Sequence, residues 1–209
     1  MRPMFKNAIA AALLLVLTIP ALSQSIDDSL KELRQTFTLG GKPIPPAVFA
    51  DFGDADMSGA HSIRVTVDLL AAIGDNLYGD GVKASPNGWV SQKKEIGAGT
   101  DRAAETTAYK FNGVTKNGLL LVTAAFSGGG SGNYLTLHIL DATPARAFDS
   151  EGKLYDRLNL TVLRSIPLGD RWKGAIEIAG DNIAITTEPG EPNNSNPQRE
   201  TRIVEAARP

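Results

Sequence analysis

The sequence predicts a mainly β protein, an antiparallel β-sandwich with a closed barrel as the alternative, carrying a short N-terminal helix. Three observations lead there. Apolar and polar residues alternate in runs such as Ile63, Val65, Val67 and Leu69 interleaved with Arg64, Thr66 and Asp68, and a period of two puts every second side chain on one face of a strand. Compact turn signals separate the runs, Asn117-Gly118 and Gly180-Asp181-Asn182 among them, because these residue types reach the backbone angles that tight hairpins need. After residue 60 helical spacing is nearly missing. Sheet on sheet, or a sheet closed on itself, is then the way to bury the apolar faces.

The chain opens with Arg2 and Lys6 ahead of an uncharged apolar run from Ala8 to Ile19, ended by Pro20. That is the layout of a secretory signal peptide, with the small residues Ala21 and Ser23 marking cleavage after Ser23. The run falls short of the roughly 20 apolar residues that span a bilayer. Removal of residues 1–23 and export to the periplasm or the exterior are expected, with no stable membrane insertion afterwards.

The mature segment 25–35 reads as the short helix: Ser25 can cap it, Asp27 and Asp28 fall in its first turn, and Ile26, Leu30 and Leu33 recur at helical spacing. Gly40-Gly41 and then Pro43, Pro45 and Pro46 prevent its continuation. Strands are expected over 63–69, more weakly over 88–96, and over 106–114, where Tyr109 and Phe111 share a face. Asn117-Gly118 folds the last of these onto 118–127 as a hairpin. The glycine-rich run 127–132 connects to an alternating strand over 133–140. Beyond a turn at 149–153 comes a long strand, 155–165, then a turn over 166–170 and a hairpin of 171–179 with 182–187. Residues 24–187 therefore form a single β-rich domain. From Glu188 to Pro209 the chain is rich in Pro, Asn and charge, a composition that predicts disorder.

Cysteine is absent, which removes disulfides, thiolate nucleophiles and thiolate metal ligands together. Cleavage leaves 209 − 23 = 186 residues, enough to build an ordinary core. The signal segment takes two basic and no acidic residues with it, so the formal net charge moves from −2 to −4. A chain with that balance has no basic field for nucleic acid.

Few residues point to chemistry. Trp89 and Trp172 are the only tryptophans, each flanked by polar or glycine positions where an indole can stack on a ligand, and Arg171 beside Trp172 would add a charged rim. Asp51, Asp54 and Asp56 form a candidate calcium loop; from Asp54 onward, Asp54, Asp56, Ser58 and Gly59 hold the register of an EF-hand loop. The twelfth position, which should close the site with a carboxylate, is Val65. A polar turn leading into a strand accounts for the same residues. The glycine run 127–132 lacks the Lys-Ser or Lys-Thr and the helix of a phosphate loop. Ser91 to Lys94 and Ser150 to Lys153 both match serine-x-x-lysine, without the companion motifs that give it meaning. His61 and His138 are the only histidines, and His138 alternates with Leu137 and Ile139, which places it on the solvent side of its strand.

The expected function is a binding or interaction module of the periplasm or cell envelope, taking an unknown protein, an envelope component or a small ligand. One alternative is a hydrolase of envelope or extracellular polymers, using carboxylates that folding brings together. The other is a module stabilised by Ca²⁺ at the aspartate loop. No further cofactor is expected.

Overall fold

The computed structural model describes residues 25–53, 65–96, 103–190 and 198–208. Helix α1, Ile26–Thr36, begins where the Ser25 hydroxyl accepts the Asp28 N–H at 3.1 Å, and it ends at Phe37 in a left-handed conformation (φ 55°). That backbone costs of order 1 kcal/mol for a residue other than glycine. Packing offsets it: the buried Phe37 ring stacks on Phe111 and meets Tyr109 edge-on, both at 5.3 Å between centroids. Strands β1 (Thr38–Leu39) and β2 (Lys42–Pro43) form a small hairpin that α1 holds through Glu32. The Glu32 carboxylate accepts the Thr38 hydroxyl at 2.6 Å and the Gly41 N–H at 2.7 Å.

Helix α2 is Val48–Gly53, β3 is Thr66–Asp68, and α3 is Leu69–Gly74. The expected strand over 63–69 is shorter than predicted at its far end because Leu69 already begins α3, capped by Asp68, whose carboxylate accepts from Leu70 and Ala71. The remaining strands are β4 (Lys83–Ala84), β5 (Trp89–Ile96), β6 (Ala103–Val114), β7 (Leu120–Ser127), β8 (Tyr134–Phe148), β9 (Leu154–Asp170), β10 (Ala175–Ala179), β11 (Asn182–Thr187) and β12 (Glu200–Glu205).

Seven strands make one antiparallel sheet in the order β3-β9-β8-β7-β6-β5-β4, open at both ends, so the barrel alternative is set aside. Strands β10-β11-β12 form a second antiparallel sheet. The large sheet has a core on each face. On one face Tyr109, Val122, Leu140 and Leu160 pack under Leu33, Phe37, Phe49 and Phe52 from the helical layer. On the other, Leu121, Leu137, Ile139 and Ile166 pack under Ile183, Ile185 and Val204 of the small sheet. With both faces covered, every residue of β7 from Leu120 to Ala125 is buried, which is why its sequence is a continuous apolar run instead of an alternation.

Two expectations fail here. The predicted turn over 166–170 is strand, since β9 continues to Asp170. Register shifts beside Leu163 and Leu168 let Pro167 sit at an irregular place in the ladder, where its missing N–H is tolerated. The first shift also changes the phase of β9, so Leu158, Leu160 and Val162 face the helical layer whereas Ile166 and Leu168 face the small sheet. Of the disorder expected over 188–209, the part at 200–206 is corrected: β12 pairs with β11 from Asn182↔Glu205 to Thr187↔Glu200 and buries Val204, with Ala206 just beyond it, while residues 191–197 lie outside the described ones. Composition concealed a short apolar pattern, Val204 and Ala206, that a polar tail can still lay on a waiting sheet.

Candidate functional site

The site grows from the face of the large sheet that the small sheet covers incompletely. Trp89 begins β5, directly after a turn in which Gly88 donates to the Ser85 carbonyl at 3.0 Å. Cross-strand pairing sets Trp89 opposite Lys110 and Lys110 opposite Thr123. Asn112, two residues after Lys110, shares its face, and its Nδ2 donates to the Thr123 hydroxyl at 2.8 Å; the bulge between Phe111 and Gly113 then brings Gly113 to that face as well. At Gly113 (φ 132°) an added Cβ would lie 3.1 Å from Ile178 Cδ1, so β10 rests on β6 at this glycine. Further toward Ile176 the two layers part.

Trp172 closes the opening from above. It follows Arg171, whose left-handed backbone (φ 52°) turns the chain out of β9, and its Nε1 donates to the Thr187 hydroxyl at 3.4 Å. Gly174 lets the chain pass beneath the indole: a Cβ there would collide with the Thr186 carbonyl and lie 2.6 Å from Trp172 Cε2. Both indoles are half-buried, and both line a single cleft of about 400 Å³. Lys110 and Asn112 form one wall, Thr123 and Leu135 the floor, and Ile176 the opposite lip. A second hollow of about 260 Å³ shares Trp89 and runs over Ala108 and Ala125 to Asn133.

The structure thus brings Trp89 and Trp172 together and leaves Arg171 outside the cleft lining. The Arg171 guanidinium donates to the Ser131 carbonyl, and its backbone N–H donates to the Asn133 carbonyl at 2.8 Å. Asp170 accepts the Asn133 N–H at 2.7 Å. These bonds fasten the glycine-rich connection between β7 and β8 against the corner that carries Trp172. Lys110, Asn112 and Ile176 were not singled out from sequence. The polar alternation around Tyr109 and Phe111 marks the first two as facing away from the aromatic core, but only the pairing register brings them beside the tryptophans.

Among the described residues lining the two-tryptophan cleft, Lys110 is the one ionisable group, and no described carboxylate forms a salt bridge with it. Asp80 and Glu105 line a different hollow, of about 580 Å³, beside Lys93 and Lys94. There the buried Gln92 ties loops together, accepting the Ala47 N–H at 3.2 Å and donating to the Tyr78 and Asp80 carbonyls at 2.7 and 2.9 Å.

His138 is not a solvent-side residue. It is 3% exposed on the helical face of β8, its ring stacked at 5.8 Å on Phe49 and edge-on at 6.0 Å to Phe52, with Nδ1 2.9 Å from the Ser165 hydroxyl. Burial lowers its pKa to about 4, so the ring is neutral at physiological pH. The alternation was correct, but α2 covers the face it pointed to.

Of the aspartate loop, Asp54 and Asp56 lie outside the described residues, as does His61, and the side chain of Asp51 in α2 does too. Among the described residues no group of three histidine or carboxylate side chains is gathered as a metal site, and no helix is long and apolar enough to cross a membrane. No protein-family model, curated protein or solved structure matches the chain.

Proposed function

We propose that the protein is an exported binding module of the periplasm or cell envelope and that the cleft between Trp89 and Trp172 seats its ligand. The observation that carries this is the convergence of the chain's two tryptophans, from β5 and from the β9–β10 corner, on one open hollow. Indoles bring large apolar area with little conformational freedom to lose, and half-exposed rings at a cleft mouth are where binding energy concentrates. A Thr123 hydroxyl and an Asn112 amide already bonded to each other give the floor a fixed polar point. A binding role is favoured over hydrolysis because the described lining offers one cation and no carboxylate pair.

The test has two arms. Tryptophan emission reports on this cleft directly, since both fluorophores line it. Panels of glycans and peptides should yield a ligand that shifts the emission, and Trp89→Ala or Trp172→Ala should weaken its binding by about 30-fold, the typical cost of truncating an aromatic anchor. A ligand whose affinity ignores both substitutions would remove the cleft from the function. For export, the processed chain should appear in the periplasmic or culture fraction, starting at Gln24; full-length chain retained in the cytosol would refute it.

A further inference from the structure

The lip of the cleft is a sheet edge. In the order β10-β11-β12, β10 has a partner on one side only. The two-residue turn Gly180-Asp181 (Gly180 φ 65°) makes Ala179↔Asn182 the closing pair of the hairpin. Counting back by twos, Ala175, Glu177 and Ala179 exchange backbone bonds with β11, so the N–H and C=O groups of Ile176 point outward from the edge. Toward its C-terminal end β10 rests on β6 where the Ile178 side chain meets Gly113, whereas Ile176 borders the cleft. Among the described residues none bonds to the N–H or C=O of Ile176, and this residue borders the hollow that both indoles line.

The chemistry of the lining distinguishes between ligand classes. A sugar presents hydroxyls on every edge and needs many free donors and acceptors around it. Here the polar side chains of the wall and floor are Lys110, Asn112 and Thr123, and the last two are bonded to each other. An extended peptide needs instead a backbone edge, apolar pockets at alternate positions, and one or two charges for orientation. The cleft supplies an edge at Ile176, the Trp89 and Trp172 faces with Leu135 between them, and one ammonium at Lys110.

We propose that the cleft receives an extended peptide segment that pairs with the free edge of β10, placing alternate side chains between Trp89 and Trp172 and an acidic group against Lys110. This rests on the cleft being the binding site. The charge match selects an acidic side chain or a C-terminal carboxylate at Lys110.

Panning a phage-displayed library of random dodecapeptides against the full mature chain tests this, with a glycan array probed in parallel. The wild type should enrich peptides that alternate apolar and polar residues and carry an acidic residue at a fixed place. Lys110→Glu, at an exposed position, should reverse that preference to a basic residue. Synthetic versions N-methylated at the amides that would face Ile176 should bind about tenfold more weakly or worse, having lost backbone hydrogen bonds without any change in the protein. Peptides bound equally well with and without N-methylation, or enrichment indifferent to Lys110→Glu, would overturn the edge pairing. Glycans that bind through Trp89 and Trp172 with no peptide enriched would overturn the peptide inference and keep the cleft as the site. Binding of neither class would overturn both.

Discussion

Acidification should weaken the native state through His138, and the size of the effect follows from its surroundings. The ring lies 3% exposed between Phe49, Phe52 and the Ser165 hydroxyl, so a proton added there is a charge with no counterion among the groups that contact it. Its pKa falls from 6.5 to about 4 on folding. The unfolded chain therefore takes up a proton before the folded one does, and stability drops as pH falls below 6.5, levelling off near pH 4 where both states are protonated. At 1.36 kcal/mol per unit, 2.5 units amount to about 3 kcal/mol across the whole window, of which about 2 kcal/mol is lost by pH 5. Carboxylates also titrate toward the acid end, so the quantity to measure is the difference between wild type and His138→Gln, which keeps a hydrogen-bonding group and cannot ionise. Urea unfolding at pH 7.5, 6, 5 and 4.5 gives both curves. The variant should start lower and lose ground more slowly, the gap closing by about 2 kcal/mol between pH 7.5 and 5. Parallel curves would refute the claim that a buried neutral imidazole underlies the acid sensitivity.

Three further substitutions probe the cleft and the small sheet. Gly174→Ala puts a Cβ against the Thr186 carbonyl and the Trp172 ring, and should cost about 2 kcal/mol or more while shifting tryptophan emission; an unchanged melting curve would show that the chain does not pass so close to the indole. Val204→Ala removes two methyl-sized groups from a side chain 5% exposed against Ile183 and Ile185, and should cost about 2 kcal/mol, whereas exposed Ile203→Ala, 62% exposed on the same strand, should cost under about 0.5 kcal/mol. Equal effects from the two, measured by chemical denaturation, would place β12 off the sheet.

What could be read from sequence was what is local. Asn117-Gly118, the 149–153 turn and Gly180-Asp181 each fix a hairpin by their own backbone preferences, and all three connect the strands expected of them. Ser25 and the acidic first turn likewise mark α1 without help from the rest of the chain. What was missed depends on layers. The alternation around His138 says that it opposes Leu137 and Ile139, but not that Phe49 and Phe52, nearly ninety residues earlier, cover that side. β12 carries too little apolar pattern to announce a strand until β11 offers it an edge. The candidate site shows the same division. Each tryptophan stood out singly by its polar neighbours, yet their meeting, and the part played by Lys110 and Ile176, comes from cross-strand register and from the packing of the small sheet over the large one.

The phase change beside Leu163 links the two cores through one covalent rod. Since β9 inserts Leu158, Leu160 and Val162 beneath the helices and Ile166 and Leu168 beneath the small sheet, displacing the strand disrupts both cores at once. The chain should unfold in a single cooperative step. Its tolerance to change is correspondingly uneven: a substitution at Leu163 leaves the phase of the strand intact, but deleting that one residue, with the bulge kept in its place, would rotate everything after it by half a pleat, turning Ile166 toward the helices and Ser165 toward the small sheet's core. For this stretch of chain, length constrains the fold more strictly than identity.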